Sequence, residues 1–393
     1  METKLFDVPI TVSNSMLSSK CDCKRIRRIN EVTLMDFTSV IMVEILSRLP
    51  MESIFRCKSV CKRWYNLFAD PLFLKMYHTR SPNFPCILLS LDYVLLLLEL
   101  RADNYEYNYC IMLNRKFHLP RPRDLLSVDD DDMFGFSFIE RNLTLVGSCN
   151  GFICLLNGAT HDEYHSVCIS NPLLGEYFKV SCCPVGESIE VSELEIYTLG
   201  VDDNKWRNVG KAPIPLWGKL SNVNVNGSLH WMDDENKSAS IYSFNTGTEE
   251  VKSLPTPPGL EAPSVWMTLA ELGNCLCLSV NSSFQHMDIW WMKEDGIAES
   301  WTKDRILKEF IPLDIRHDRF IPIIIWNDAE ILMQSERGTQ LVSYNPKEKK
   351  FRKVNLCGSG TAATRYIPSL YSLQTVMGDN FEVSNVYRKT RRV

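Results

Sequence analysis

The sequence predicts an α+β chain in two parts: a small helical unit near the N-terminus and a larger all-β domain of the propeller type. Apolar residues recur at helical spacing between residues 38 and 69, and short apolar runs bounded by Gly, Asn, Asp or Pro fill most of the rest. Those runs repeat with a period close to ~50 residues. Since 393 residues exceed what one compact core usually holds, two units are expected.

Composition and charge exclude several functional classes. Hydrophobic residues make up 45% and charged residues 23% of the chain, which is ordinary for a globular protein. The net charge of −5 gives no global attraction to nucleic acid or to an anionic membrane surface, so neither is predicted as a partner. The most hydrophobic run, "YVLLLLEL", is far shorter than the roughly 18 residues of a membrane helix and predicts a buried strand.

The cysteine and histidine patterns predict no cofactor and no metal. The N-terminal residues lack the features of a signal peptide, so the 14 cysteines are expected to be reduced thiols in the cytoplasm, the nucleus or both. Their spacings match no structural zinc site. His161 and His165 are four residues apart, but "NGATHDEYHSV" is typical of a solvated loop. The sequence also lacks phosphate-binding, serine-hydrolase and zinc-protease motifs, which favours a non-catalytic protein.

The first predicted helix lies between Thr38 and Leu49. Only Glu44, Ser47 and Arg48 mark a solvated arc on it, so its apolar surface covers well over half the circumference. A short helix over residues 52–58 and a longer one over 60–69 follow, with a further turn or helix in "LFLKMYH". Helices this short expose more apolar surface than they bury among themselves. They therefore need a partner, either the rest of this chain or another protein.

Two segments carry a family resemblance. "EILSRLP" followed by "SIFRCKSVCKRWYNLFADPLFLK" closely resembles the F-box, a helical module that docks on Skp-family adaptors of cullin–RING ubiquitin ligases. The match covers residues 36–78. The family usually opens with Leu-Pro, where this chain has Phe37 and Thr38, and Thr38 is predicted to cap the first helix. The resemblance implies adaptor contacts by the apolar residues Val40, Ile41, Val43, Ile45, Leu46, Leu49, Pro50, Ile54, Val60, Cys61, Trp64 and Leu67. Trp64 is expected to take part in the packing of the third helix and to make an edge contact with the adaptor.

The β part shows both hairpin turns and repeats. Asn150-Gly151, Asn226-Gly227, Gly273-Asn274 and Asn327-Asp328 are typical type I′ turns, and the last three lie 47 and 54 residues apart. "LVGSCNGFICL", "ISNPLLGEYFKV", "VNGSLHWM" and "ESW" look like the F-box-associated, kelch-like domain of plant F-box proteins. We expect a β-propeller, or an incomplete one, with about six four-stranded blades between residues 84 and 373, including a strand in "IPSLYSL".

The predicted domain limits follow from these segments. A flexible N-terminal tail spans 1–35, the F-box spans 36–78, the propeller-like domain spans 84–375, and a basic C-terminal tail spans 376–393. The basic clusters "CKRIRR" and "YRKTRR" suit nuclear-import signals, anion-binding tails or solvated disorder equally well.

Eight tryptophans fall in the β part, and most are expected in the cores between blades. Trp290 and Trp291 are adjacent on a predicted strand and so must face opposite sides. Propeller loops are the expected place of substrate capture. Trp217, Arg316 and Arg319 are the predicted substrate contacts, because Trp and Arg are enriched at binding hot spots. Trp206 is predicted to be a blade residue.

The two resemblances imply a bridging protein. Its F-box would bind a Skp-family adaptor, and through it the cullin and RING subunits, while the β domain would hold a protein substrate for ubiquitination. Two alternatives remain open. One is an F-box protein that acts as a regulatory binding partner outside a ligase. The other is a propeller enzyme or a lectin-like ligand-binding protein with a coincidental helical head.

Overall fold

A computed structural model describes residues 38–49, 51–58, 60–80, 86–91, 94–99, 112–118, 120, 143–157, 166–180, 193–201, 205–211, 223–233, 239–260, 266–281, 285–326, 329–337, 340–354 and 362–386. A four-helix head is followed by an all-β propeller arrangement. None of the helices in these ranges combines the length and the hydropathy that a membrane crossing requires. The predicted tail over 1–35 and the histidine-containing loop lie outside the described residues.

The head contains the three predicted helices, and the further turn or helix predicted in "LFLKMYH" is a fourth helix. Its helices are α1 Ser39–Leu46, α2 Met51–Lys58, α3 Lys62–Leu67 and α4 Pro71–Arg80. Thr38 occupies the cap position of α1 with an extended backbone, but its side chain makes no capping hydrogen bond, contrary to the prediction. Asp70 does cap α4, because its Oδ1 accepts from the backbone N–H of Leu72 at 2.8 Å. Pro71 then begins the helix, where its missing N–H costs nothing.

Within the described residues, the β domain contains five blades of four or five antiparallel strands. Blade 1 contains β1 Cys86–Leu91, β2 Val94–Glu99, β3 Met112–His118 and, from the C-terminal region, β22 Ala362–Tyr366. Blade 2 contains β4 Leu143–Cys149, β5 Phe152–Asn157, β6 Ser166–Asn171, β7 Glu176–Val180 and β23 Ser384–Asn385. A two-stranded sheet follows, made of β8 Glu193–Ile196 and β9 Arg207–Lys211.

The other three blades each follow the chain order. Blade 3 contains β10 Val223–Val225, β11 Ser228–Asp233, β12 Ser240–Asn245 and β13 Glu250–Leu254. Blade 4 contains β14 Trp266–Leu272, β15 Cys275–Asn281, β16 His286–Met292 and β17 Trp301–Leu307. Blade 5 contains β18 Phe320–Trp326, β19 Glu330–Ser335, β20 Leu341–Asn345 and β21 Lys350–Val354.

The first strands of neighbouring blades contact one another, as expected for strands around a propeller axis. Contacts run from β10 to β14, from β14 to β18, from β18 to β22 and from β22 to β4. Blade 1 therefore takes its inner strand from the C-terminal region and its other strands from the N-terminal side of the domain. This pairing closes blade 1 with main-chain hydrogen bonds between distant parts of the chain.

Three of the four predicted hairpin turns are confirmed, and the fourth, at residues 327–328, lies outside the described ranges. Both central residues have positive φ at 150–151, 226–227 and 273–274, as type I′ turns require. All three turns lie on one face of the propeller, because they end the inner strands. We call this the head-side face. A Cβ built on Gly151, in one of these turns, would overlap Ser369, and the neighbouring Leu370 packs in the same apolar cluster as the head. The opposite side is the far face.

The blade number and the C-terminal segment differ from the prediction. Five full blades and a two-stranded sheet are described, not six four-stranded blades. "IPSLYSL" forms no strand; Asn171 Nδ2 holds it by donating to the carbonyl oxygens of Ser369 at 3.2 Å and Tyr371 at 2.7 Å. The segment then enters α5 Leu373–Met377, and β23 pairs with β7. The predicted boundary at 375 thus falls inside a helix, because this segment packs its apolar residues on blade 2.

Apolar clusters fill the junctions between blades, and most described tryptophans belong to them. Trp290 lies in the cluster between blades 3 and 4, and Trp291 packs against the one between blades 4 and 5, which confirms their opposite orientation. Trp231, Trp301 and Trp326 are also buried. Trp206 packs beside Tyr197, with ring centroids 5.6 Å apart, as expected of a blade residue.

One buried histidine gives a prediction for acid stability. Burial lowers the pKa of His230 from its usual value of 6.5, while the charge of Asp295 opposes that shift. Below pH 6.5 the unfolded chain therefore binds more protons than the folded chain, so the His230 contribution to stability is full above this pH and declines below it. We expect His230→Gln to flatten the loss of unfolding free energy between about pH 7.5 and 5.5. Urea denaturation at both values measures this.

The exposed His317 supplies the matched control. His317→Gln should leave the pH dependence of the wild type unchanged. An equally steep loss of stability in the His230→Gln variant would show that this imidazole is not the group that titrates.

Candidate functional site

The outward side of the head is apolar. Val40, Ile41 and Ile45 on α1 are 78%, 44% and 41% exposed, and Val60, in the turn before α3, is 57% exposed. We call these four residues the head patch. Exposed apolar side chains clustered on so small a unit are typical of a protein-docking surface. Leu72 and Tyr65 are also exposed on the head, and the sequence prediction did not include them.

Of the predicted solvated arc of α1, Ser47 is buried, while the Arg48 and Glu44 side chains remain 65% and 45% exposed. Glu44 accepts hydrogen bonds from Arg48 at 2.6 Å and from Arg80 at 2.5 Å. These hydrogen bonds hold the pKa of the Glu44 carboxyl below its usual value. Ser47 is fully buried and receives a bond from Arg80 Nη1 at 3.4 Å.

The inward side of the head merges with the propeller. One apolar cluster contains Met42, Leu46 and Ile54 of the head together with Leu97 of blade 1 and Leu155 of blade 2. The excess apolar surface of the helices is therefore divided into two parts. Part of it is buried against this chain, and the head patch remains exposed.

An aromatic series runs through the same cluster. Phe68 meets Trp64 edge to face at 6.5 Å and Phe73 at 5.0 Å, and Phe73 stacks on Tyr77 at 5.9 Å. Such pairs add stability beyond the area that they bury. Trp64 is 7% exposed, which agrees with its predicted place in the packing of α3.

A ring contact and charged groups link the head to the C-terminal segment and to blade 2. The His78 and Tyr371 rings lie 6.4 Å apart in an edge arrangement. Burial lowers the pKa of Lys58, and the charge of Glu176 on β7 opposes that shift. Glu176 in turn accepts hydrogen bonds from Ser372 Oγ at 2.9 Å and from the Leu373 N–H at 2.6 Å. The head is thus held by apolar packing and by charge.

The structure divides the predicted adaptor residues into two groups. Those on the outside are the four residues of the head patch. Those that pack in the shared cluster, buried or half-buried, are Val43, Leu46, Leu49, Ile54, Cys61, Trp64 and Leu67. Pro50 lies outside the described residues. The helix predicted over 60–69 begins only at Lys62, so Val60 lies in the preceding turn.

The predicted substrate residues have structural partners. Arg316 donates to the carbonyl oxygens of Glu309 at 2.7 Å and Ile311 at 3.3 Å, which holds the turn between blades 4 and 5. The Arg319 guanidinium lies 6.0 Å from the centre of the Trp266 ring and 3.4 Å from Glu336 Oε2. Both arginines lie on the far face, and Trp217 is outside the described residues.

Arg207, the first residue of β9, lies on the head-side face. Arg207 forms a two-pronged ion pair with Glu249 in the turn between β12 and β13. That turn touches the hairpin at 226–227, because Thr246 Oγ1 donates to the Gly227 carbonyl at 2.7 Å. Arg207 therefore lies on the opposite face of the propeller from Arg316 and Arg319.

Comparison with known families agrees with this two-part architecture. Residues 34–76 match the F-box domain, and residues 174–380 match the F-box associated beta propeller domain. The second match alone covers more than half of the chain. Among solved structures, a nidogen/laminin complex covers 73% of this chain and 100% of its own, with a TM-score of 0.41 and 10% identity. A likeness this low carries no argument.

Relatives of similar length come from Arabidopsis thaliana. F-box protein At3g07870 is 27% identical over 382 residues, which cover 79% of this chain and 85% of the relative. F-box/kelch-repeat protein At3g23880 is 24% identical, with 67% and 77% covered, and F-box protein CPR1 is 22% identical, with 90% and 92% covered. The chain is therefore a plant F-box protein, and it belongs to the family in which an F-box precedes an F-box-associated β-propeller domain.

Proposed function

We propose that this protein is the substrate-recognition subunit of an SCF-type (Skp–cullin–F-box) ubiquitin ligase. The head patch docks on a Skp-family adaptor, which brings the cullin and RING subunits, and the propeller captures a protein substrate. The observation that carries this proposal is an exposed apolar patch on a head whose other side is buried against blades 1 and 2.

The proposed role is tethering, without chemistry by this chain. A bound substrate held near the conjugating enzyme is present at a high effective concentration, so that ubiquitin transfer no longer depends on a chance encounter. A head that shares a core with the propeller fixes the direction in which the substrate is presented. A flexible connection would spread the substrate lysines over many positions and lower that effective concentration.

Substrate capture is proposed for the far face. The head occupies the head-side face of blades 1 and 2, so a large adaptor assembly on the head patch leaves the far face open. Arg319, Leu313 and Phe310 are exposed there beside the junction of blades 4 and 5. Adaptor and substrate would then bind on opposite sides of the protein without competing.

The full chain with an affinity tag, expressed in plant cells whose proteasome is inhibited, tests this function. We expect Skp-family adaptor and cullin to co-purify together, and ubiquitinated proteins to accumulate with them. Recovery of the adaptor without cullin would instead favour a regulatory role outside a ligase. Absence of both from the purified protein would overturn the proposal.

A further inference from the structure

The outermost strand of blade 4 presents an open edge. β17 is the last strand of its sheet, so within the described residues no strand pairs with its outer side. It has seven residues, whereas the outermost strands of blades 3 and 5, β13 and β21, have five each. Four consecutive residues in its middle, Thr302, Lys303, Asp304 and Arg305, are exposed, so neither face of the strand is covered there. We call the free side of β17 the β17 edge.

The pairing of β17 with β16 determines which main-chain groups point to this edge. The N–H of Lys308, directly after β17, donates to the Gln285 carbonyl at 2.8 Å. The same register continues through the whole of β17 without a bulge. In an antiparallel pair, residues that bond to the partner strand alternate with residues whose N–H and C=O point to the other side. The outward groups in the middle of β17 therefore belong to Lys303 and Arg305.

Blade 2 has the same kind of edge, and there a strand of this chain fills it. β23 adds to β7, the fourth strand of that blade, with Asn385 opposite Glu176. The N–H of Val386 then donates to the Gly175 carbonyl at 2.9 Å. An extended segment of only a few residues thus lengthens a blade outward. The main-chain groups of the β17 edge can form such a ladder with a strand of another protein.

The side chains beside these outward groups carry unbalanced positive charge. Lys303 and Arg305 lie on one face of β17, with side chains 39% and 51% exposed, and they share the carboxylate of Asp288. Arg305 Nε donates to Oδ1 at 2.8 Å, and Lys303 Nζ lies 3.6 Å from Oδ2. Two cations and one carboxylate leave one positive charge on this face. Asp304 points to the opposite face of the strand.

The outer edges of blades 3 and 5 are balanced in charge. On β13, Lys252 lies 3.5 Å from the carboxylate of Glu250, and the strand has no other charged residue. On β21, each of the three cations forms an ion pair with a carboxylate. Charge therefore distinguishes the β17 edge, and it favours an acidic partner.

The far end of the β17 edge is apolar. Leu307 lies on the same face as Lys303 and Arg305, because side chains alternate along a strand, and it is 41% exposed. Phe310 and Leu313 follow it and are 47% and 76% exposed. A strand added here would run from two cations toward apolar contact area on the far face.

We propose that the β17 edge binds an extended acidic segment of the captured protein as an added antiparallel strand. The segment has the pattern apolar-x-acidic-x-acidic, so that its apolar residue lies opposite Leu307 and its acidic residues lie opposite Arg305 and Lys303. The acidic residues exchange main-chain hydrogen bonds with those two residues, and their carboxylates contact the cations. The antiparallel direction is chosen because it gives the more stable pairing. This inference rests on the proposed function, because it assigns a chemical class to the substrate.

The test uses the full chain and fluorescent peptides built around Leu-Thr-Glu-Thr-Glu, with fluorescence anisotropy as the measure of each dissociation constant. In the proposed register the glutamate N–H groups point to β17 and the threonine N–H groups point to solvent. N-methylation of both glutamates should therefore weaken binding at least about tenfold, whereas N-methylation of both threonines should leave it unchanged. Replacing both glutamates with glutamine should weaken binding at least about threefold.

Matched substitutions test the protein side of the same contact. Arg305→Pro removes one outward N–H, and proline is tolerated on an edge strand where the N–H faces solvent. Arg305→Ala loses only the side chain, so Arg305→Pro should weaken the glutamate peptide at least about fivefold further. Lys252→Ala alters an exposed lysine of β13 and should bind like the wild type. If Arg305→Pro does not fold, the N-methylated peptides with the wild-type protein decide.

The proposal is overturned if none of the peptides binds, as would hold if Lys303 and Arg305 only protect the edge from pairing. It is also overturned if N-methylation of the glutamates has no effect, or if the glutamine peptide binds equally well. Pairing with a second copy of this chain would appear in sedimentation as a dimer that Arg305→Pro abolishes, and it would likewise reject a substrate strand.

Failure of this inference is distinguishable from failure of the proposed function. Turnover of the cellular substrate that survives Arg305→Pro but stops on disruption of the head patch would reject the strand site and keep the ligase role. Conversely, selective binding of the glutamate peptide by a protein that co-purifies with neither adaptor nor cullin would keep the strand site and reject the ligase role.

Discussion

Replacing Val40 by Asp and Ile45 by Lys is expected to abolish binding to a Skp-family adaptor while the protein stays folded. Val40 is 78% and Ile45 41% exposed, so their replacement removes little packing inside the chain. An acidic residue in the first turn of α1 also suits the helix dipole. In a complex, the two charges would have to be desolvated against an apolar partner, which should weaken the affinity at least about 30-fold. Surface plasmon resonance with purified adaptor measures the effect.

The control is an exposed apolar pair on the propeller. Val201→Asp with Leu229→Lys makes the same kind of change at side chains 73% and 41% exposed. That variant should bind adaptor like the wild type. Wild-type adaptor affinity in the Val40/Ile45 variant would mean that docking uses another surface. Val43 and Leu49 are unsuitable for this test, because both pack against the cluster shared with the propeller.

Trp64→Ala is expected to destabilise the head by about 3–5 kcal/mol, as is usual for a buried tryptophan. The ring packs in the core and meets Phe68 edge to face. Because the head and blades 1 and 2 share that core, the loss should extend to the propeller side, including Leu97 and Leu155. Hydrogen exchange should therefore show faster exchange in α1–α4 and in β2 and β5, while blades 3, 4 and 5 keep their protection.

The neighbouring residue provides a control of similar size. Tyr65 is 57% exposed on the same helix, and Tyr65→Ala should change the unfolding free energy by less than about 0.5 kcal/mol. If the two variants melted alike, Trp64 would not be part of the core. If Trp64→Ala accelerated hydrogen exchange only in the head, and β2 and β5 stayed protected, the head would fold on its own.

The sequence by itself determined the features that depend on neighbouring residues. Local spacing accounts for three of these features. They are the helices of the head, the type I′ turns at 150–151, 226–227 and 273–274, and the opposite orientation of Trp290 and Trp291. A turn of this type needs two residues that accept positive φ, and adjacent strand residues must point to opposite sides. The order of the F-box and propeller motifs was equally readable, because each motif is continuous in the chain.

Only the tertiary structure decided which apolar residues are left for a partner. Ser47 on α1 was predicted to face solvent but is fully buried, and Glu44 pairs with Arg80, which lies 36 residues away, while Val40, Ile41 and Ile45 stay exposed. The course of the C-terminal segment depends on Asn171, whose amide holds Tyr371 across 200 residues. Contacts between residues so far apart leave no periodicity in the sequence, because each partner alone is compatible with many environments.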